Sequence, residues 1–222
     1  MKLVNADYGL EIEFQEGKIE VLVIESVTAY RDITGMLWNQ CTGESGNFLL
    51  SDGKILKIDK YMTVIGNPFD LDFQNRKITT ALFHIMSKIG NEKVEEKALL
   101  NSQMIHLLEN ISASVNYSGI GFQLDFEWND LFKMYGVKID VSDNFLLRII
   151  EYTKVMSSLC GIFVFCFFNL KNYLTQEELL LFYKEAEYNK LKIILIESFE
   201  SEHIKNEHIT IVDKDLCVIK KI

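Results

Sequence analysis

IFVFCFFNLKNYLTQEELLLFYKEAEYNKLKIILIES, residues 162–198, sets the fold class. Its opening run is continuously apolar and dominated by aromatic and β-branched side chains, the composition of a strand buried on both faces. Thr175 and Glu178 then stand at capping-box spacing, which predicts a helix beginning at that point. LKIILIE, residues 191–197, is a second apolar run of strand length. Strand, helix and strand in this order, with neither strand alternating, indicate a partly parallel sheet covered on both faces.

The same reading extends outward. HITIVD at 208–213 and DLCVI at 215–219 finish the sheet. SDNFLLRIIEYTKVMSSL at 142–159 is an amphipathic helix capped by Ser142 or Asp143, VKIDV at 137–141 a short strand, and DLFKMYG at 130–136 a helix closed by Gly136. Near the N-terminus, GLEIEF alternates outward acids with inward Leu10, Ile12 and Phe14. KIEVLVIE follows after Gly17, which predicts a β-hairpin. Residues 26–40 read as a helix capped by Ser26, and short strands are expected near 47–50, 54–58 and 61–65. From Asp70 to about Ser114 apolar residues recur at helical spacing, as two helices or one weakened near Gly90. NYSGIGFQLDFEW at 116–128 reads as a loop followed by a strand. The expected architecture is an α/β domain built from residues 1–65 and 136–222, interrupted by a mostly helical domain at 66–135.

Composition narrows the function. The chain has 222 residues, 48% of them hydrophobic, and a formal net charge of -9. An acidic chain is not a general nucleic-acid binder, so a DNA site would have to gather Lys and Arg locally, most simply from several subunits around one axis. The four cysteines, Cys41, Cys160, Cys166 and Cys217, form no CxxC pair and read as buried apolar residues of a reducing compartment. The N-terminus lacks a signal-peptide core, and the longest apolar run is too short to span a bilayer. A cytoplasmic protein without membrane association is expected.

The run ending in Glu197 resembles the strand of a nucleotide hydrolase that presents an acid to magnesium. The glycine-rich phosphate loop is missing: in SDGKI at 51–55, Phe48 stands where the first glycine belongs and Ile55 replaces the hydroxyl. No catalytic residues are assigned. Asp125 and Glu127, two apart on an expected strand, share a face and leave calcium open, with the wet face of an edge strand as the alternative. Candidate phosphate contacts are Lys88, Lys93 and Lys97 in the helical region, and Lys133, Lys138, Arg148 and Lys154 near the return to the α/β domain; solvated helix surface is their alternative reading.

Several segments in order resemble the small DNA-end-binding proteins of type II-A CRISPR loci. These are VLVIESVTAYRDITGMLWNQ at 21–40, FLLSDGKILKIDKYMTVIGNPFDLDF at 48–73, LFKMYGVKIDVSDNFLLRIIEYTKVMSSL at 131–159, the opening stretch at 162–198, and ITIVDKDLCVI at 209–219. The resemblance implies an α/β head related to nucleotide hydrolases without their phosphate loop, and an inserted helical leg. It implies a ring-shaped homotetramer that threads double-stranded DNA ends through a lysine-lined hole, without sequence preference and without enzymatic activity. It also implies CRISPR spacer acquisition, with the integrase complex and the effector nuclease as partners. Lys138 matches the lysine of the family's Gly-Val-Lys-Ile segment. Calcium-binding members carry a dense acidic stretch before that segment; here it has only Asp125 and Glu127, with Glu109 upstream. Two other readings remain: a scaffold subunit of the adaptation complex that never touches DNA, and a degenerate nucleotide-binding enzyme using Glu197.

Overall fold

The computed structural model describes residues 1–221, which divide into two compact units. The first comprises Met1–Asp72 and the chain from Val141 onward; the second is Phe73–Asp140. Sequence reading placed these boundaries at 66 and 135. The segment before Asp72 belongs with the first unit because Phe69 packs on Phe145 and Tyr173, at centroid distances of 4.7 and 5.5 Å, and its carbonyl accepts from Arg148 Nη2 at 3.1 Å.

In the first unit β1 (Lys2–Asn5), β2 (Leu10–Glu13) and β3 (Ile19–Ile24) lead into α1 (Val27–Cys41). Then come β4 (Phe48–Ser51), β5 (Ile55–Leu56), α2 (Ile58–Tyr61) and β6 (Met62–Ile65). In the second unit α3 (Arg76–Asn91), α4 (Val94–Ala113) and α5 (Trp128–Met134) follow. The first unit resumes with α6 (Phe145–Cys160), β7 (Val164–Phe168), a 3-10 turn at Leu170–Asn172, α7 (Gln176–Tyr188), β8 (Lys192–Glu197), β9 (Glu207–Val212) and β10 (Val218–Lys221).

Six strands form the main sheet in the order β10-β9-β3-β8-β7-β6. All neighbours are parallel except β10, which runs antiparallel to β9. Every residue of β3 is buried, as a strand covered on both faces requires. Leu22, Ile24, Val164, Cys166, Ile194 and Ile196 share one core with Ile33 and Leu37 of α1. The intervening side chains point the other way, where Phe167 meets Phe182 of α7 edge-on at 5.4 Å. Ser26 caps α1 through Ala29 N, Thr175 and Glu178 form the expected capping box, and Gly161 closes α6 at φ 70°. The α6 cap is Asn144, whose side chain accepts from Leu147 N, rather than Ser142 or Asp143.

A second sheet, β2-β1-β4-β5, is antiparallel and packs its apolar face into the α1 core. The hairpin expected between residues 9–14 and 18–25 does not form: β2 pairs with β1, and β3 lies in the other sheet. Two further expected strands are absent. Residues 137–141 and 116–127 carry no ladder, and Tyr117, Ile120, Leu124 and Val141 are exposed rather than buried on a sheet face.

Within the second unit Phe83 and Phe132 meet edge-on at 5.4 Å and Trp128 stacks on Phe132 at 6.0 Å. Gly90 is where this core needs no side chain: a methyl group there would come within 2.6 Å of the Trp128 indole. The expected weak point near Gly90 is the break between α3 and α4.

Candidate nucleic-acid interface

Open α/β sheets usually bind ligands outside the carboxyl ends of their strands. Here that edge is closed by its own side chains. β3 passes into α1 through Glu25 and Ser26 alone, leaving no loop whose amides could cradle phosphate. Asn169, at φ 50° after β7, donates through Nδ2 to the Tyr30 hydroxyl at 2.8 Å. Its Oδ1 accepts from Ser198 N and Oγ at 3.0 and 3.1 Å. Burial, and then the nearby Glu197, push the Tyr30 hydroxyl up to about 12. Glu197 itself is 2% exposed and accepts from Lys171 N at 3.2 Å. Burial lifts its carboxyl to about 7. A magnesium-facing acid must be ionised and reachable; Glu197 is a buried strut.

Of the candidate phosphate contacts, Lys88, Lys93, Lys97, Lys133 and Lys138 belong to the second unit, and Arg148 and Lys154 to the first. Most are already engaged. Lys97 Nζ pairs with Asp125 at 3.2 Å and lies 5.1 Å from the Phe126 ring centroid. Lys133 pairs with Asp130 at 3.2 Å, Lys93 with Glu96 at 3.8 Å, and Lys154 with Glu185 at 2.7 Å. Arg148 makes no ion pair among the described residues; its Nη2 donates to the Phe69 carbonyl at 3.1 Å, which leaves its charge unneutralised. Lys88, in the last turn of α3, and Lys138, after α5, are exposed and make no ion pair among the described residues. These two lysines present unneutralised charge at exposed positions, as a phosphate contact requires.

The acids do not assemble. Asp125 is committed to Lys97 and to Phe126 N at 2.8 Å, which holds its carboxyl below the ordinary range. Glu127 precedes α5 and Glu109 lies on α4. Among the described residues no three His, Cys, Asp or Glu side chains are placed to hold a metal ion. Glu109, Asp125 and Glu127 therefore form no such group.

Sequence reading assigned α4 helical periodicity but missed its exposure. This 20-residue helix buries none of its residues. Leu100, Met104, Leu107 and Ile111 recur at spacings of about four, three and four, the stripe a partner helix covers. Leu107 is 59% and Ile111 53% exposed. Cys166 is buried, whereas Cys217 is exposed, against expectation. Among the described residues no helix is long and apolar enough to cross a membrane.

The family profile described as CRISPR-associated protein (Cas_Csn2) matches residues 40–216. No curated protein matches the chain. Among solved structures, the crystal structure of Stu0660 of Streptococcus thermophilus is similar at a TM-score of 0.57 and 16% identity, over 96% of this chain and 75% of that one. At that identity the likeness is one of fold.

Proposed function

Because the chain belongs to the CRISPR-associated protein (Cas_Csn2) family, implicated in CRISPR adaptation, we propose that it binds double-stranded DNA ends as a ring-shaped homotetramer and supports spacer acquisition without catalysing a reaction. The observation that carries this reading is α4, a 20-residue helix with no buried residue and an apolar stripe along it. Such a helix is stable when another copy covers it. Assembly also resolves the charge conflict. A chain of net charge -9 grips a polyanion when Lys88 and Lys138 of several copies face one lumen. Binding then runs through phosphates and shape, which explains indifference to sequence.

The closed carboxyl edge of the main sheet supports a role without nucleotide turnover, and Glu197 is not assigned a catalytic part. No step runs through calcium. The integrase complex and the effector nuclease are the proposed protein partners, in the cytoplasm. The deciding experiment is a gel-shift comparison of linear duplex with covalently closed circular DNA of the same sequence. Linear DNA is expected to bind and closed circles not; equal binding would remove the threading claim. Absence of binding to both would favour a scaffold that contacts only proteins.

A further inference from the structure

At the opposite edge of the main sheet, the turn between β2 and β3, the last turns of α7 and the residues entering β9 enclose a cleft of ≈ 220 Å³. Lys18, Lys184 and Lys205 line it, one from each of these segments. None of the three makes an ion pair among the described residues, and the three come together on one cleft. Three unpaired ammonium groups around one cleft repel each other, and an acidic chain has carboxylates to spare for them. The single acid in the lining is Glu187, whose carboxylate lies against Gly17, at φ 68°, within 2.9 Å of where a side chain would begin.

We propose that this cleft binds a phosphate monoester in its dianionic form. Three ammonium groups less one carboxylate leave two positive charges, which match the roughly -1.5 to -2 of a phosphate monoester at neutral pH. Lys184 and Lys205 are exposed and their long stems can swing onto the ligand; Tyr183 and Leu180 offer an apolar wall for the organic part. The positive potential is felt nearby: burial and then the Lys18 charge hold His208 below its ordinary range. The site is distinct from Lys88 and Lys138 and does not rest on the DNA reading.

Calorimetry on the full chain with AMP, inorganic phosphate and adenosine tests it. AMP and phosphate are expected to bind and adenosine not. Lys184→Gln and Lys205→Gln should each weaken AMP by about tenfold, the loss of one charge-assisted contact. Glu187→Gln should tighten it, and Lys138→Gln should leave it unchanged; circular dichroism checks that the variants are folded. No heat from AMP or phosphate, or AMP binding indifferent to Lys184→Gln and Lys205→Gln together, would overturn the proposal. A second arm compares 5′-phosphorylated with 5′-hydroxyl duplex. A preference lost in Lys184→Gln identifies a DNA terminus as the source of the phosphate; no preference, with AMP still bound, identifies a free phosphate compound.

Discussion

Lys171 Nζ lies 2.8 Å from Glu207 Oε1, with the two side chains 6% and 0% exposed. Glu207 also accepts from the Tyr183 hydroxyl at 2.6 Å and from Ile204 N at 3.0 Å, so this buried charge is fully hydrogen-bonded. The ion pair ties the 3-10 turn after β7 to the start of β9. Removing one partner strands a charge in the core. Lys171→Ala or Glu207→Ala is therefore expected to cost roughly 3–5 kcal/mol. The double variant should cost clearly less than the sum of the singles. Urea titrations of the four proteins measure this; additive losses would show that the charges act independently.

Glu197 makes stability depend on pH. Burial raises its carboxyl from an ordinary 4.5 to about 7, so the folded chain holds a proton that the unfolded chain releases between those values. Its contribution is complete below about pH 4.5 and is lost as pH rises through about 7, a change of about 3 kcal/mol. Glu20, also lifted to about 7 by burial, acts in the same direction. Stability should fall between pH 5 and pH 8, and Glu197→Gln should flatten the fall. Thermal melts at both pH values check it; an unchanged slope in the variant would place the dependence elsewhere.

The strand–helix–strand unit from β7 to β8 was legible because its signals are local. The apolar runs containing Val164–Phe168 and Lys192–Glu197, and the Thr175–Glu178 capping box, each carry their own physical reason. The N-terminal hairpin was misread because adjacency was taken for pairing. Leu10–Glu13 alternates as a half-buried strand does, while Ile19–Ile24 is buried throughout; the difference in pattern is the sign that they lie in different sheets. Charged candidates were less legible. Nothing near Lys154 in the chain reveals that Glu185 neutralises it, because that contact is made between α6 and α7. Asn169 had a weak signal, an Asn directly after a strand, where the left-handed backbone is common for this residue.

If phosphate contacts carry DNA affinity, lysines that already hold a carboxylate contribute little. Lys88→Gln with Lys138→Gln should weaken linear duplex strongly and flatten the salt dependence, by roughly 0.9 in log-log slope per lost phosphate contact per copy. Lys133→Gln, which removes a lysine paired with Asp130, should change both much less. Fluorescence anisotropy across a salt series separates them. Equal effects of the two sets would mean that the ion pairs dissolve on binding.

The assembly itself should fail first at α4. Leu107 and Ile111 are exposed within one chain, so Leu107→Glu and Ile111→Glu leave the core of either unit intact and should cost a single chain little stability. In an oligomer sealed along this stripe, the same carboxylates would be buried without partners, at several kcal/mol each. Light scattering is expected to show the wild-type chain as a tetramer and the double variant as a monomer with unchanged helical content. DNA binding should vanish with the tetramer, because Lys88 and Lys138 of one copy are too few to hold an acidic chain on a duplex. A variant that stays tetrameric would assign the contact to another surface; one that turns monomeric yet still binds DNA would break the link between assembly and grip.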